Sequence, residues 1–178
     1  MKNVLVLSSS PRKGGNSDLL CDAFVMGAKE AGHKVTKIRV ADKKVGYCTG
    51  CYACQKTGKC AIEDDAGAIL KKMMAADVIV FASPVYFYSV CAQLKALIDR
   101  SVVFYPNITN KDYYFLMTMA EEDAKMAEGA SKAMQGFLDC YEGSKLKGTL
   151  VANGVYEKGA IKETKFLEKA YKLGLKVK

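Results

Sequence analysis

The feature that most constrains the fold of this chain is the alternation of short β-branched runs with longer segments of helical period. Such alternation indicates βαβ units around a parallel sheet. The run Val78–Ala82 is apolar at every position, which is typical of a central strand covered on both faces. The predicted strands are Val4–Leu7, Lys34–Val40, Val78–Ala82, Tyr113–Thr118 and Thr149–Asn153. The predicted helices are Ser17–Ala31, Asp65–Ala75, Cys91–Val103, Glu121–Cys140 and Ile161–Leu175.

These elements fill the 178 residues without a linker, a repeat or a low-complexity segment, so we expect one doubly wound α/β domain over residues 1–178. Right-handed crossovers favour two arrangements of five such units. One is a flavodoxin-like five-stranded parallel sheet of order 2-1-3-4-5 with helices on both faces, and the other is half of a larger dinucleotide-binding fold. In both, ligands bind at the carboxyl ends of the strands, so the loops there are the candidate sites.

Composition excludes several kinds of site. The single histidine, His33, excludes metal sites that need two histidines. The formal charge is +8, from 27 basic and 19 acidic residues, but the lysines are scattered and the longest basic runs are pairs. This pattern favours an anionic small ligand or an acidic protein partner over nucleic acid. No run is long enough for a membrane span or a signal-peptide core, so we expect a cytoplasmic protein with no membrane partner, whose seven cysteines are reduced.

The segment Ser8–Ser17, between the first strand and the first helix, combines hydroxyls, glycines and two cations. Free N–H groups and the positive end of the helix dipole favour an anion at such a helix N-terminus, and Arg12 adds a charge-assisted contact. We predict a phosphate site; the alternative is a flexible turn in which Asn16 or Ser17 only caps the helix. The segment matches neither GxGxxG nor GxxxxGK[ST], so a mononucleotide phosphate fits better than a dinucleotide bound in Rossmann fashion.

The third strand is followed by a proline and an aromatic cluster. We expect Pro84 to end the strand. Tyr86, Phe87 and Tyr88 then form an aromatic wall for a planar ring, with backbone N–H groups reading its polar edge. The alternative is an apolar loop packed on the core or at a dimer interface. A phosphate site one strand away favours the first interpretation, a flat heteroaromatic nucleotide.

With Gln93–Arg100, these two loops resemble the flavodoxin-like NADPH-dependent FMN reductase superfamily, and within it the iron–sulfur flavoprotein branch. The resemblance covers most of the chain. It implies non-covalently bound FMN, a nicotinamide cofactor as reductant and a homodimer. The fourth loop, Thr118–Ala120, departs from the Gly-rich version of relatives, and Gln93–Arg100 is expected to pack the fold without touching the cofactor. The implied cofactor-binding residues are Ser8, Ser10, Arg12, Asn16, Ser17, Pro84, Val85, Tyr86, Phe87 and Thr118.

A cysteine-rich loop at residues 46–61 carries the pattern C-x2-C-x2-C-x5-C, formed by Cys48, Cys51, Cys54 and Cys60. Four thiolates are the ligand set of a 4Fe–4S cluster, although the bacterial ferredoxin pattern, which ends C-x3-C-P, does not match. The resemblance implies that all four bind one cluster near the flavin. Free thiols and structural zinc are the alternatives. The remaining cysteines are expected to be small buried residues on helices: Cys21, Cys91 and Cys140.

Three functional hypotheses follow. The first is an NAD(P)H-dependent FMN oxidoreductase that reduces a quinone, a flavin or another small acceptor, with or without relay through a 4Fe–4S cluster. Because the cofactor carries the chemistry, no catalytic side chain is predicted. The second is an electron carrier reduced by ferredoxin, whose acidic surface the +8 charge would suit. The third is a flavin-free binding module.

Overall fold

The computed structural model of the chain describes residues 1–105 and 107–178. Five parallel strands form a sheet of order β2-β1-β3-β5-β6, and a two-residue strand, β4, pairs antiparallel with the end of β3. This order is the flavodoxin-like one predicted from the sequence, with one short strand more than expected. The strands are β1 (Asn3–Ser8), β2 (Lys34–Arg39), β3 (Val78–Tyr86), β4 (Ser89–Val90), β5 (Asp112–Thr118) and β6 (Lys145–Ala152).

Helices cover both faces of the sheet. They are α1 (Asn16–Glu30), α2 (Ala53–Thr57), α3 (Ala66–Ala75), α4 (Ala92–Arg100), α5 (Glu128–Asp139) and α6 (Phe166–Leu175). The helices α1 and α6 cover one face, and α3, α4 and α5 cover the other. The short helix α2 buries no residue. In the described ranges no helix combines the length and the apolar character that crossing a bilayer requires.

The apolar runs of the central strands follow from this double covering. Along β1, Val4 and Val6 face α1 and α6, whereas Leu5 and Leu7 face the other layer. The same alternation places Val78 and Val80 on one face of β3 and Ile79 and Phe81 on the opposite face. Since successive side chains point to opposite faces, a strand buried on both sides is apolar at every position.

The strand β3 does not end at Pro84, contrary to the prediction. It continues to Tyr86, with Pro84 in parallel register with Thr118 of β5, and a two-residue turn then leads into β4. Proline's fixed φ is compatible with extended backbone, and the residue removes one N–H donor without ending the strand. The aromatic residues therefore lie on a hairpin that projects beyond the sheet.

Three helix boundaries also differ from the prediction. The helix α5 starts at Glu128, after a 3-10 turn at Ala124–Ala127 that Asp123 initiates by accepting a hydrogen bond from the Lys125 N–H. Short acidic side chains often compete with the helix for such backbone groups. The helices α4 and α6 are also shorter than predicted, because 3-10 turns occupy Ser101–Phe104 and Ala160–Glu163.

Candidate functional site

The ends of β1, β3 and β5 are joined by side-chain hydrogen bonds at one edge of the sheet. Ser9 Oγ donates to the Ala82 carbonyl at 2.6 Å, which ties the loop after β1 to β3. Ser17 Oγ lies 2.7 Å from Thr118 Oγ1, which ties the first turn of α1 to the end of β5. Ser8, Ser10, Ser17 and Thr118 are all buried. The structure therefore brings the predicted hydroxyl residues of two separate loops together.

The N-terminus of α1 is open toward this loop. Gly15 is the N-cap residue, and no side chain caps the helix. A Cβ at Gly15 would lie 3.0 Å from the Arg12 carbonyl oxygen, so the tight turn requires glycine. None of the backbone hydrogen bonds in the described part of the chain uses the N–H of Ser17 or Asp18. Free N–H groups at the positive end of a 15-residue helix suit an anion such as phosphate.

Asp18 stabilises the loop after β1, and neighbouring cations keep its negative charge from repelling an anion. Its carboxylate accepts hydrogen bonds from Ser8 Oγ at 3.1 Å and from the Gly14 N–H at 2.9 Å. Lys37 Nζ lies 2.6 Å from Oδ1, and Arg39 Nη1 lies 2.8 Å from Oδ2 as an ion pair. Burial alone would raise the pKa of Asp18, but Lys37, Gly14 and Arg39 together lower it to about 2. The carboxylate is therefore ionised, and two cations offset its charge.

The Asn16 side chain anchors the segment between β6 and α6. Its Nδ2 donates to the carbonyls of Val155 and Glu157 at 3.1 and 2.8 Å. Its Oδ1 accepts from the N–H groups of Gly159 and Ile161 at 2.9 and 3.3 Å. Since all these side-chain atoms are engaged within the protein, Asn16 can offer a phosphate only its backbone N–H.

The exposed cations at this edge come from two segments. Arg12 is exposed, and its Nη1 donates to the Tyr156 carbonyl at 3.1 Å. A Cβ at Gly14 would lie 3.9 Å from Lys158 Cε, so Lys158 lies beside the same loop. Sequence reasoning missed Lys158 because it belongs to no motif and is distant along the chain. Its only signal was its position after the last strand of a parallel sheet, at the ligand-binding edge.

The hairpin after β3 presents its aromatic side chains to solvent under backbone strain. Tyr86, Phe87 and Tyr88 are 42 %, 100 % and 53 % exposed. Phe87 and Tyr88 have φ values of 48° and 60°, a left-handed conformation that is costly for large side chains and often marks functional sites. The base of the hairpin is held by Ser83 Oγ, which accepts from the Cys91 N–H at 3.0 Å.

A cavity of about 220 Å³ lies between this hairpin and the segment after β5. It is lined by Val85, Phe87, Tyr88, Met119, Ala120 and Glu121. Apolar and aromatic walls beside a few polar groups are typical of sites for planar ligands. Of the predicted ring contacts, Val85 and Phe87 line this cavity, whereas Tyr86, which is exposed, and Pro84, which is buried in β3, do not.

The four loop cysteines line one cavity of about 490 Å³, between residues 48–62 and the C-terminal ends of α4 and α5 with the residues that follow them. Cys48 and Cys51 are exposed, whereas Cys54 and Cys60 are half-buried. Hydrogen bonds with the Ala53 backbone and the Thr49 side chain lower the pKa of Cys51, which favours the thiolate. Within residues 1–105 and 107–178, no three histidine, cysteine or acidic side chains converge on a point that would suit a single metal ion. Four thiols that line one cavity match the ligand number and type of a 4Fe–4S cluster.

The other cysteines divide between core and surface. Cys21 is buried as predicted, and burial raises its pKa to about 12. Cys91 is buried too, with Sγ 3.2 Å from Ser9 Oγ beneath the phosphate loop. The prediction was wrong for Cys140, which is exposed and lines the same cavity as the loop cysteines. Cys140 lies just beyond α5, which ends at Asp139, and not on the helix as predicted.

An ion pair closes the cysteine segment at its base, and we call this arrangement the neck. Arg100 Nη1 lies 2.6 Å from Asp64 Oδ2, and Nη2 lies 3.0 Å from Oδ1. The same two nitrogens donate to the carbonyls of Gly46 and Ile62 at 2.9 and 3.0 Å, and Asp64 also accepts from the Gly46 N–H at 2.7 Å. The side chains of Arg100 and Asp64 are only 1 % and 9 % exposed. Arg100 thus contacts both ends of the cysteine segment, in addition to packing the fold as predicted.

One atom of the neck has no protein acceptor. Arg100 Nε is buried and makes no hydrogen bond within the described residues. Burial alone would lower the pKa of Arg100, but Asp64 and Cys60, which lie beside the guanidinium, raise it. A buried N–H without an acceptor costs about 1–3 kcal/mol, so a group that accepts from it would be stabilised here. A sulfur of a cluster bound by Cys60 is such a group, and the neck therefore fits the cluster that the cysteines suggest.

A flavodoxin-like sheet with an open helix N-terminus after β1 and an aromatic hairpin after β3 defines a class of nucleotide-binding α/β proteins. The family assignment agrees. The model of the NADPH-dependent FMN reductase family matches residues 2–146, and the chain belongs to this family.

Curated relatives carry a more specific name. An iron-sulfur flavoprotein of Methanocaldococcus jannaschii is 48 % identical over 98 residues, which are 55 % of this chain and 51 % of the relative. An iron-sulfur flavoprotein of Archaeoglobus fulgidus is 38 % identical over 114 residues, 64 % of this chain and 51 % of the relative. The chain therefore spans about half the length of the curated relatives it matches.

Solved structures confirm the fold over the whole chain. An azoreductase from Bacillus anthracis superposes with a TM-score of 0.78 at 21 % identity, covering 99 % of this chain and 100 % of that protein. An NAD(P)H:quinone oxidoreductase from Methanothermobacter marburgensis gives a TM-score of 0.73 at 17 % identity, with coverages of 98 % and 94 %. At these identities the similarity establishes the fold alone.

Proposed function

We propose that the chain binds FMN at this edge of the sheet and works as an NAD(P)H-dependent flavin oxidoreductase. The observation that carries the proposal is the joining of three strand ends by the Ser9–Ala82 and Ser17–Thr118 hydrogen bonds. It places an open helix N-terminus and an aromatic hairpin at one site. Family membership supports FMN as the ligand.

In this proposal the chain's own residues hold and orient the cofactor. The N–H groups at the start of α1, the Ser10 hydroxyl and Arg12 bind the phosphate, and Ser8 and Asp18 keep the loop in shape. Val85 and Phe87 border the ring, with Tyr86 beside them. When bound, FMN supplies hydride acceptance and transfer of one or two electrons, which needs no acid or base from the protein. Quinones and azo compounds are the acceptor classes that the names of the structural neighbours suggest.

We also propose that Cys48, Cys51, Cys54 and Cys60 hold a 4Fe–4S cluster. The four thiols line one cavity, a buried N–H beside Cys60 has no protein acceptor, and the curated relatives are named iron-sulfur flavoproteins. By analogy with the family we also propose a homodimer, which sedimentation velocity of the purified protein would test.

A second candidate function is electron transfer without turnover of a small substrate. The exposure of Cys48 and Cys51 favours it, because a cluster there would lie near the surface within reach of a protein donor. The formal charge of +8 suits an acidic donor such as ferredoxin. Rapid mixing with NADPH separates the candidates: loss of flavin absorbance within seconds supports the reductase, and persistence of the absorbance supports the carrier.

The phosphate site is tested by replacing Arg12. Arg12→Ala removes a charge-assisted contact worth about 1.4 kcal/mol, so FMN affinity should fall about tenfold by fluorescence titration of the apo-protein. Lys29→Ala is the matched control. It removes the same charge from an exposed position at the other end of α1, about 20 Å from the proposed phosphate, and should leave affinity within twofold of wild type. If both substitutions lowered FMN affinity equally, Arg12 would act only through the net charge of the protein and not through a specific contact with the phosphate.

The cluster is tested on anaerobically purified protein by iron and sulfide assays. About four irons and four sulfides per chain would establish it. The matched variants are Cys54→Ala in the loop and Cys140→Ala on the opposite wall of the same cavity. Only the first should lower the iron content. Loss of iron in both variants would assign a ligand role to Cys140 and contradict the four-cysteine set.

A further inference from the structure

The Nε–H of Arg100 is one of the buried side-chain groups without a hydrogen-bond partner in the described part of the chain, and it belongs to a residue that lines the cysteine cavity. The guanidinium has five N–H donors in a fixed planar arrangement. Those on Nη1 and Nη2 serve Asp64 and the carbonyls of Gly46 and Ile62. The Nε–H is equally buried, has no acceptor in the described part of the chain, and lies in the residue that borders Cys60.

The hydrogen bonds of the neck fix the position of the Nε–H. Four hydrogen bonds to Gly46, Ile62 and Asp64 hold the guanidinium plane, so Nε cannot turn to another acceptor without breaking contacts of the neck. Arg100 and Cys60 both line the cavity that contains the other three cysteines. Cys60 lies beside the guanidinium and lines the same cavity, so a cluster bound by Cys60 would bring sulfur acceptors next to this donor.

We propose that Arg100 is a positioning residue that donates its Nε–H to the Cys60 sulfur of a bound 4Fe–4S cluster and thereby raises the reduction potential of that cluster. The inference rests on the proposed function, because it requires the cluster. Hydrogen bonds to cluster sulfurs are one determinant of the potential, since a donor stabilises the more negative, reduced state. Because Asp64 offsets the guanidinium charge, the rise in reduction potential comes from the hydrogen bond more than from net charge.

Arg100→Lys tests this directly. Lysine keeps the positive charge and reaches toward Asp64, but it has no donor at the position of Nε. We expect the equilibrium constant for one-electron reduction of the cluster to fall at least tenfold, which corresponds to about 59 mV. The measurement is a redox titration followed by electron paramagnetic resonance, which reports on the cluster independently of turnover.

Gly46→Ala is the matched control, because it disturbs the neck without removing the Nε–H. A Cβ at Gly46 would lie 3.3 Å from Asp64 Oδ2 and 3.7 Å from Arg100 Nη1, so the neck must shift by a few tenths of an ångström. We expect the potential of this variant to match wild type. Equal falls in both variants would assign the effect to distortion of the loop and overturn the proposed hydrogen bond.

The remaining outcomes separate this inference from the proposed function. If wild-type protein binds iron and sulfide but Arg100→Lys leaves the potential unchanged, the cluster stands and the role of Arg100 is wrong. If wild-type protein binds no cluster after reconstitution, the cluster proposal is wrong and the inference falls with it. If Arg100→Lys does not fold, as judged by circular dichroism, pulsed electron paramagnetic resonance of wild-type protein labelled with ¹⁵N-arginine replaces it. We expect a ¹⁵N coupling to the reduced cluster, and its absence would overturn the proposed hydrogen bond.

Discussion

Two segments near the carboxyl edge of the sheet are each anchored by a buried ion pair, but the anchoring differs in extent. The phosphate loop, residues 8–18, is held along its length by Ser9, Asn16 and Asp18, which bond to β3, to the segment before α6 and to β2. The cysteine segment, residues 47–61, is held at its ends by the neck. The backbone hydrogen bonds made by residues 47–61 stay within that segment.

The extent of the anchoring determines which site is shaped before its ligand binds. The phosphate loop presents a fixed helix N-terminus, so binding there should require little reorganisation. The cysteine segment fixes only the separation between Gly46 and Ile62, and the thiols between them can adjust to what they bind. Segments with few contacts to the core open locally at low free energy. Stability should therefore depend strongly on the neck and on the phosphate loop, and weakly on residues 47–61.

The largest effect is expected at the neck. Arg100→Ala leaves the buried Asp64 carboxylate without its cation, and breaking such a buried pair costs about 3–5 kcal/mol. Lys95→Ala is the matched control, because it removes a cation from an exposed i,i+4 pair with Asp99 on the same helix and should cost less than about 0.5 kcal/mol. Urea unfolding of the two variants measures both. Similar small losses would mean that the neck contributes little and that the comparison of the segments is wrong.

A smaller, pH-dependent effect is expected in the phosphate loop. Asp18→Asn weakens charge-assisted hydrogen bonds and should lower the free energy of unfolding by about 1.5–3 kcal/mol at pH 7. The folded-state pKa of Asp18 is about 2, below its ordinary value of 3.8. The carboxylate therefore stabilises the fold above about pH 4, and this contribution is lost as the pH falls toward 2.

Urea unfolding at pH 7 and pH 2.5 checks this prediction. The difference between wild type and Asp18→Asn should shrink at the lower pH. Asp22→Asn is the control, because Asp22 pairs with Lys37 from a position that is 56 % exposed and should change stability by less than about 1 kcal/mol. A difference between wild type and Asp18→Asn that is the same at both pH values would contradict the assigned role of the carboxylate.

Much of the fold was predictable because its signals are local. The uniformly apolar run Val78–Ala82 identified the central strand. The alternation of strand and helix periods left two sheet arrangements, of which the family resemblance favoured the flavodoxin-like order that the structure has. The same reasoning placed the segments after β1 and β3 at one edge of the sheet. The FMN contacts of individual residues stay predictions.

What sequence reasoning missed depends on contacts between distant residues. Arg100 and Asp64 are 36 positions apart, and no local pattern shows that they meet across the ends of the cysteine segment. Asn16 bonds to Val155, 139 positions away. The sequence indicates only that Asn16 lies at a helix N-terminus, so its role as an anchor was not predictable either. Helix boundaries at Ser101 and Glu128 were also decided by neighbouring 3-10 turns, which helical periodicity does not distinguish.

The smallest expected effect distinguishes a position that is coupled to the core from one in a segment that is held only at its ends. Gly32 follows α1 with φ +84°, and Gly58 ends α2 with φ +68°; a Cβ at either position meets nothing within 4 Å. Alanine at each site therefore adds only backbone strain, about 1–2 kcal/mol. Gly32→Ala should lose that full amount in urea unfolding. Gly58→Ala should lose less than about 0.5 kcal/mol, because the loss cannot exceed the free energy of local opening of residues 47–61.

Amide hydrogen exchange then identifies the residues that the strain at position 58 destabilises. Gly58→Ala should speed exchange at the Gln55 and residue-58 amides, which are bonded within the cysteine segment, and leave the amides of β1 unchanged. If both alanine variants instead lose the same free energy of unfolding, the cysteine segment is coupled to the core as tightly as the end of α1. The thiols would then be held in place before any cluster binds, and the neck would be one of several contacts that fix them.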